Sequence, residues 1–139
     1  MDNITVLPSL TTAEEDIIGA VLTDRKYYDE VKRYIYTPDV FYNELNKDVW
    51  IAIEKQISNQ ETPTLIQTVD MVNKGKWKEH GVGYLVSGYV TEMATVAHTE
   101  QKAKLMLDKY ILRRCIIESR SIEKKVFQNG VNAIEVIEH

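Results

Sequence analysis

The feature that most constrains the fold is an uninterrupted run near the C-terminus. From Glu100 to Phe127 the sequence contains neither glycine nor proline. Asn129 and Gly130, which tolerate a positive φ, close the run, and residues 131–139 begin another helical pattern. Apolar residues recur through the run with a helical period, so it predicts one long α-helix. They are Ala103, Met106, Leu107, Tyr110, Ile111, Cys115, Ile122 and Val126.

The beginning of the chain predicts a helix with a defined start. Thr12 and Glu15 form the T-x-x-E pattern of a capping box, which satisfies two free backbone donors of a first turn. Glu14, Glu15 and Asp16 then lie where the positive end of the helix dipole favours acids. Because no further acid or base accompanies them in the sequence, we assign them to the helix dipole rather than to catalysis.

Two more helical patterns follow in the first half of the chain. The first, over residues 27–35, is predicted to end at Pro38, because the residue before a proline is pushed out of the α region. The second, from Glu44 to about Ser58, has apolar residues every four positions. This stripe predicts a helix lying on the core, with Trp50 as a core residue rather than a ligand platform.

A fourth pattern completes an all-α prediction. Thr64 and Gln67 offer a second capping box, and Gly75 is expected just beyond the end of that helix. Only helical patterns persist for more than a few residues, and none alternates as a strand does. We therefore predict an all-α fold, with a compact helical bundle over residues 1–98 and a long helix that begins a helical hairpin over residues 99–139.

Composition limits the classes of function. The chain has 139 residues, 44% apolar and 27% charged, which suits one domain with one core. Its formal net charge of −4 argues against nucleic-acid binding by the chain as a whole. No window approaches the roughly 20 apolar residues that span a bilayer, and we expect a cytoplasmic protein without membrane contacts. The single Cys115, which Ile116 and Ile117 follow, is expected to be buried.

The stretch GVGYLVSGYV poses the question of nucleotide binding. Gly83 and Gly88 are spaced as in the phosphate-binding pattern G-x-x-x-x-G-K-[ST]. However, Tyr89 and Val90 stand where that loop needs a lysine for the phosphates and a hydroxyl for magnesium. We therefore predict no nucleotide site, but a turn followed by a short buried helix from Tyr84.

The histidines and the cysteine show no pattern of a metal site. The three histidines, His80, His98 and His139, have no metal-ligand spacing with one another or with Cys115. The sequence therefore predicts a non-catalytic chain with neither a metal site nor a cofactor.

Five segments follow one another in an order that is typical of one family: AEEDIIGAVLTD, FY followed by Trp50, Ala52 and Ile53, ETPTLIQTV, GVGYL and LRRCIIESRSIEKKVF. Together they resemble the N-terminal domain of DnaB-type replicative DNA helicases. AEEDIIGAVLTD is similar to the family's opening helix A-E-x-x-[VI]-[LI]-G-x-x-[LM], and FY followed by Trp50 and Ala52 is similar to its F-Y…[IVW]-x-x-A-I stretch. ETPTLIQTV, GVGYL and LRRCIIESRSIEKKVF resemble its later motifs. The chain departs at Thr64 or Leu65, where the family has an acid, and at Asn46, near a position that is usually basic or histidine.

The resemblance implies a role in DNA replication. In this family, helical hairpins pair between subunits, and the N-terminal domains form a collar, often a trimer of dimers, above a motor ring. The collar receives the helicase-binding domain of primase or a helicase loader. ATP and magnesium bind in the C-terminal motor domain, which also makes most contacts with DNA. We therefore expect this chain to be a non-catalytic part of an ATP-dependent DNA helicase.

The long helix carries the candidate interface. Its apolar residues spread over more than one stripe of about 100°, so a bundle at one end cannot cover them all. A partner helix is expected to cover the rest, with basic residues at the rim setting orientation more than affinity. The candidate subunit or partner interface residues are Ile116, Ile117, Arg120, Ile122, Lys124, Val126 and Phe127.

Other functions stay open on the same residues. A stand-alone helicase-loading or regulatory adaptor would use the same fold, and reading the gene beyond codon 139 would separate it from a helicase. Residues 102–125 hold eight Lys or Arg against three acids, which fits a solvated helix face or a docking strip for an acidic partner. A helix-turn-helix DNA binder would use the same strip as its recognition helix.

Overall fold

The structure, a computed structural model, describes residues 9–93, 96–128, 130 and 132–138. Within these residues every regular element is a helix, so the predicted all-α class is confirmed. The described residues form seven α-helices: α1 Thr11–Thr23, α2 Lys26–Val31, α3 Glu44–Ser58, α4 Leu65–Val72, α5 Val82–Thr91, α6 Thr99–Val126 and α7 Ala133–Ile137. Short 3₁₀ helices lie at Pro38–Val40 and Gly75–Trp77. None of the described helices is long and apolar enough to cross a bilayer.

The core forms around α1, which contacts α2, α3, α5 and the first half of α6. Ile17 and Ile18 of α1 are fully buried there, and Met106 is the contribution of α6. Trp50 of α3 is also fully buried, with its ring 5.1 Å from that of Phe41. The prediction that Trp50 belongs to the core is confirmed, and such buried aromatic area is a large part of the stability of a small domain.

α3 and α4 follow the sequence prediction closely. α3 has the predicted bounds, and Asn43 caps it by accepting from the backbone N–H of Asn46 at 3.0 Å. At the start of α4, Thr64 accepts from the backbone N–H of Gln67 at 3.1 Å, as half of the predicted capping box requires. The backbone N–H of Thr64 donates instead to Gln56 of α3 at 3.2 Å. Thr64 therefore both starts α4 and joins it to α3.

The start of α1 and the ends of α2 and α4 were wrongly predicted. α1 begins at Thr11 after Leu10, and no side chain caps it, so Thr12 is not an N-cap. α2 ends at Val31, several residues before Pro38, and Pro38 instead opens a 3₁₀ turn. Gly75 has a φ of +54° and opens the second 3₁₀ turn, whereas α4 has already ended at Val72.

α5 is less buried than predicted. It begins after Gly81, whose φ of +70° lies in the left-handed region that glycine tolerates. Val82 and Val86 are its buried residues, whereas the predicted first residue of a buried helix, Tyr84, is 84% exposed. The helix therefore presents one apolar edge to α1 and α4 and leaves the other edge, with Leu85, to solvent.

Candidate interaction surfaces

The first half of α6 is held against the bundle. Ala103 and Met106 are buried, and Lys102 forms an ion pair of 3.1 Å with Asp16 of α1. Nearer the start of α6, Glu100 accepts a 2.7 Å hydrogen bond from the hydroxyl of Tyr34. The hydrogen bonds from Tyr34 and then from the neighbouring Arg33 lower the pKa of Glu100. These contacts fix the direction in which α6 leaves the bundle.

Arg113 is the buried basic residue at the edge of the bundle. It is 5% exposed, and its guanidinium donates to the backbone carbonyl oxygens of Val40 at 3.0 Å and Asp39 at 3.3 Å. The guanidinium also lies 5.2 Å from the ring centroid of Tyr42 and 5.6 Å from that of Tyr110. Burial lowers its pKa, partly offset by the charge of Glu14. Arg113 therefore joins α6 to the bundle and does not belong to a solvated basic strip.

Beyond Arg113 the apolar residues of α6 are exposed. Of the predicted interface residues, Ile117, Ile122, Val126 and Phe127 are between 38% and 79% exposed, and Ile116 is half-buried. The predicted rim residues Arg120 and Lys124 are also exposed. The structure thus places the predicted set on the C-terminal part of α6 and at Phe127 just after it, and most of its apolar members are exposed there.

Four of the exposed residues of α6 form a second stripe along the helix, whereas Ile117 and Phe127 lie on other sides of it. At about 100° per residue, Ile111, Cys115, Ile122 and Val126 fall within about 60° of one another, on the side away from Met106. The predicted interface lacks Ile111, and the prediction of a buried Cys115 is wrong because Cys115 is exposed. The angular positions of Ile111 and Cys115 around the helix, relative to the residues that face the bundle, are the signal in the sequence that identifies both as exposed.

α7 adds more exposed apolar surface at the same end. It follows Gly130, which has a φ of +76°, and Asn132 caps it by accepting from the backbone N–H of Ile134 at 2.8 Å. Ile134 and Ile137 are both well exposed. Because α7 contacts α6, the exposed apolar surface continues from one helix to the other.

Glu14 is a buried structural acid. It is 1% exposed and accepts hydrogen bonds from the backbone N–H groups of Tyr42 at 2.7 Å and Asn43 at 3.2 Å, and from the amide of Asn46 at 3.1 Å. Burial raises its pKa, and these hydrogen bonds act in the opposite direction. The helix dipole alone therefore does not account for Glu14, whose carboxylate ties α1 to the loop before α3. We find no role for it in catalysis.

A groove lies between α1 and α5. It has a volume of about 500 Å³, and the exposed ring of Tyr84 stands beside Glu15, Glu92 and Met93. Burial raises the pKa of Glu15, and so do the neighbouring charges of Asp16, Glu14 and Glu92. The groove therefore offers apolar contact and negative charge to a partner.

The residues present do not fit a nucleotide or a metal ion. Gly83 and Gly88 lie inside α5 rather than in a loop, and the side chains that follow, Tyr89 and Val90, are not phosphate or magnesium ligands. Among the described residues, three or more His, Cys, Asp or Glu side chains nowhere gather closely enough to hold a metal ion.

Three comparisons with known proteins agree. A family model described as "DnaB-like helicase N terminal domain" matches residues 6–108. Over 134 residues the chain is 23% identical to the replicative DNA helicase DnaB of Rhodothermus marinus, covering 96% of this chain but 14% of that protein. The crystal structure of the N-terminal domain of DnaB helicase from Mycobacterium tuberculosis matches with a TM-score of 0.85 and 18% identity, over 96% of this chain and 94% of that one.

Proposed function

Because the chain belongs to the family of DnaB-like helicase N-terminal domains, we propose that it acts as a non-catalytic collar domain of a hexameric replicative helicase. In this role residues 1–98 form the compact bundle, and residues 99–139 supply the helical hairpin through which subunits associate. The collar also docks primase or a helicase loader during DNA replication. ATP and magnesium would act in a motor domain outside these residues.

The second apolar stripe of α6 is the observation that carries this proposal. Ile111, Ile122 and Val126 lie on one side of the helix and are exposed, and Phe127 at its end is more exposed still. A contiguous apolar surface of this kind on a small domain marks an interaction site. The matching helix of a second subunit is the occupant we propose, because two such stripes would cover each other.

The basic residues of α6 favour this role over DNA binding. Two of them already have partners in the bundle, since Arg113 bonds to backbone carbonyls and Lys102 pairs with Asp16. Neither is then free to neutralise a phosphate, which is the main source of affinity for DNA. Arg120 and Lys124 are exposed on the same part of α6, and we propose that they influence the orientation of the partner helix more than its affinity.

A double substitution tests the subunit interface. Ile122→Asp with Phe127→Asp places two charges in the proposed contact, so we expect the assembly seen by sedimentation equilibrium to dissociate while the helical circular dichroism of the bundle is retained. The matched control, Ile66→Asp with Tyr84→Asp, changes two exposed apolar residues on the bundle and should keep the assembled mass. An unchanged mass for the α6 variant would refute the proposed interface.

Docking of a partner is tested separately. We propose that primase or a loader uses the groove between α1 and α5, where Tyr84 is exposed beside Glu15 and Glu92. Light scattering of the chain with the cognate primase C-terminal domain should show a complex. Tyr84→Ser should weaken that complex about tenfold or more, as the loss of an aromatic anchor does. An equal affinity for the variant would place the docking surface elsewhere.

A further inference from the structure

A second cleft lies between α3 and α4, away from the proposed subunit interface. Its volume is about 380 Å³. The buried side chains of Ala52 and Val72 form its floor, and Ile51, Met71 and Trp77 stand around it. A cleft of this size with an apolar floor has room for one or two side chains of a bound peptide.

Lysine side chains surround this cleft. Lys55, Lys74 and Lys76 line it, whereas Asp48 is the single carboxylate among its lining residues. Lys76 also forms an exposed ion pair of 3.4 Å with Glu44. Within the described part of the chain, Lys55 and Lys74 take part in no ion pair. The cleft is thus locally positive on a chain whose formal net charge is −4.

The wall of the cleft is already held in place. The indole N–H of Trp77 donates to the Asp48 carboxylate at 2.6 Å, and the ammonium of Lys76 lies 5.1 Å from the Trp77 ring centroid. Because Asp48 accepts this hydrogen bond, its carboxylate presents less negative charge to a ligand. Trp77 and Lys76 therefore need little further ordering when a ligand binds.

We propose that this cleft binds an acidic peptide segment of a partner protein that carries an aliphatic side chain. The aliphatic side chain enters between Ile51 and Met71, where the unbranched and flexible Met71 adapts to its shape. Acidic residues on either side of it meet Lys55 and Lys74, which supply charge complementarity at the rim. An apolar anchor with a charged surround is the arrangement that concentrates binding energy in a small contact.

The lining of the cleft favours a peptide over single-stranded nucleic acid. Binding of a single strand uses several aromatic faces in series, on which successive bases stack. Trp77 is the one aromatic residue that lines this cleft, and the Lys76 ammonium lies close to its ring. The remaining apolar residues are aliphatic or methionine, which offer no aromatic face on which a base can stack.

Fluorescence anisotropy with a fluorescein-labelled peptide, DDLLDD, tests this proposal on the full 139-residue chain. We expect saturable binding that weakens as the salt concentration rises. Lys55→Glu with Lys74→Glu should weaken it at least tenfold, and Ile51→Ser at least threefold. The control Lys26→Glu with Lys32→Glu changes two exposed lysines of α2 by the same charge and should bind as the wild type does. Circular dichroism checks that each variant is folded.

Matched probes separate the contributions of charge and apolar contact. DDSSDD keeps the charges and removes the aliphatic side chains, and KKLLKK reverses the charges, so each should bind at least tenfold more weakly than DDLLDD. The proposal is overturned if DDLLDD does not bind, or if the cleft and control variants bind it equally. It is also overturned if labelled oligo-dT binds through the same lysines more tightly than the peptide.

Discussion

The carboxylate of Glu14 accepts a 2.7 Å hydrogen bond from the backbone N–H of Tyr42, 28 residues further along the chain. Glu14 lies on α1 and Tyr42 in the loop that leads into α3, so the contact fixes two separate elements. Two residues before Tyr42, Val40 ends the first 3₁₀ helix, and its carbonyl oxygen accepts from Arg113 of α6. The entry to α3 is therefore held from one side by α1 and from the other by α6.

Replacement of Glu14 by alanine should be strongly destabilising. The backbone N–H groups of Tyr42 and Asn43 and the amide of Asn46 would each lose their acceptor in a buried site. We expect the free energy of unfolding, measured by urea denaturation, to fall by about 3 kcal/mol. Thr12→Ala is the control, because Thr12 is exposed and does not cap α1. A loss for Glu14→Ala as small as for this control would contradict the structural role of Glu14.

Gly19 permits a close contact between α1 and α5. A Cβ atom at Gly19 would lie 2.2 Å from the backbone carbonyl oxygen of Tyr89, so the two helices would have to separate. We expect Gly19→Ala to lower the free energy of unfolding by about 3 kcal/mol. Gly88→Ala is the matched control inside α5, where the new Cβ meets nothing closer than 3.9 Å. That control should raise the free energy of unfolding by about 0.5–1 kcal/mol.

Thermal or urea unfolding measures both variants. If Gly19→Ala left the free energy of unfolding unchanged, the packing of α5 on α1 would be looser than the structure has it.

Glu15 should make stability depend on pH. Burial and the charges of Asp16, Glu14 and Glu92 raise the pKa of Glu15 in the folded state above its ordinary value of 4.5. A carboxyl with a raised pKa contributes stability below its unfolded pKa, and that contribution is lost as pH rises through the folded pKa. Glu15→Gln should therefore stabilise the protein at pH 7, by less than about 1 kcal/mol because the site is partly solvated.

The measurement for Glu15 is urea denaturation of wild type and variant at several pH values. The advantage of Glu15→Gln should grow between about pH 4 and pH 7, as Glu15 of the wild type ionises. An advantage that stayed constant over this interval would show that the Glu15 charge is not the cause.

The sequence predicted the long helices well because their signals are local. The bounds of α3 and the extent of α6 followed from apolar spacing and from the absence of glycine and proline over many residues. The start of α4 followed from Thr64, whose cap needs only the next turn of the chain. The exposure of apolar residues at the end of α6 was also predicted, because a bundle packed against the start of a long helix cannot cover its far end.

Features that depend on distant contacts were not predicted. Glu14 and Glu15 are neighbours of the same type, and only the loop around Tyr42 makes one of them a buried acceptor. Arg113 looked like part of a basic strip, because its acceptors at Asp39 and Val40 lie more than 70 residues earlier in the chain. Cys115 was placed in the core on its apolar neighbours, although its side of the helix faces solvent.

The most direct test of the central claim is the alkylation rate of Cys115, the single cysteine in the chain, because it lies within the exposed stripe of α6. At one protein concentration, chosen so that the wild type is assembled, iodoacetamide should modify the wild type more slowly than the dissociated Ile122→Asp with Phe127→Asp variant. Equal rates for an assembled wild type and a monomeric variant would mean that this face of α6 is not where subunits meet.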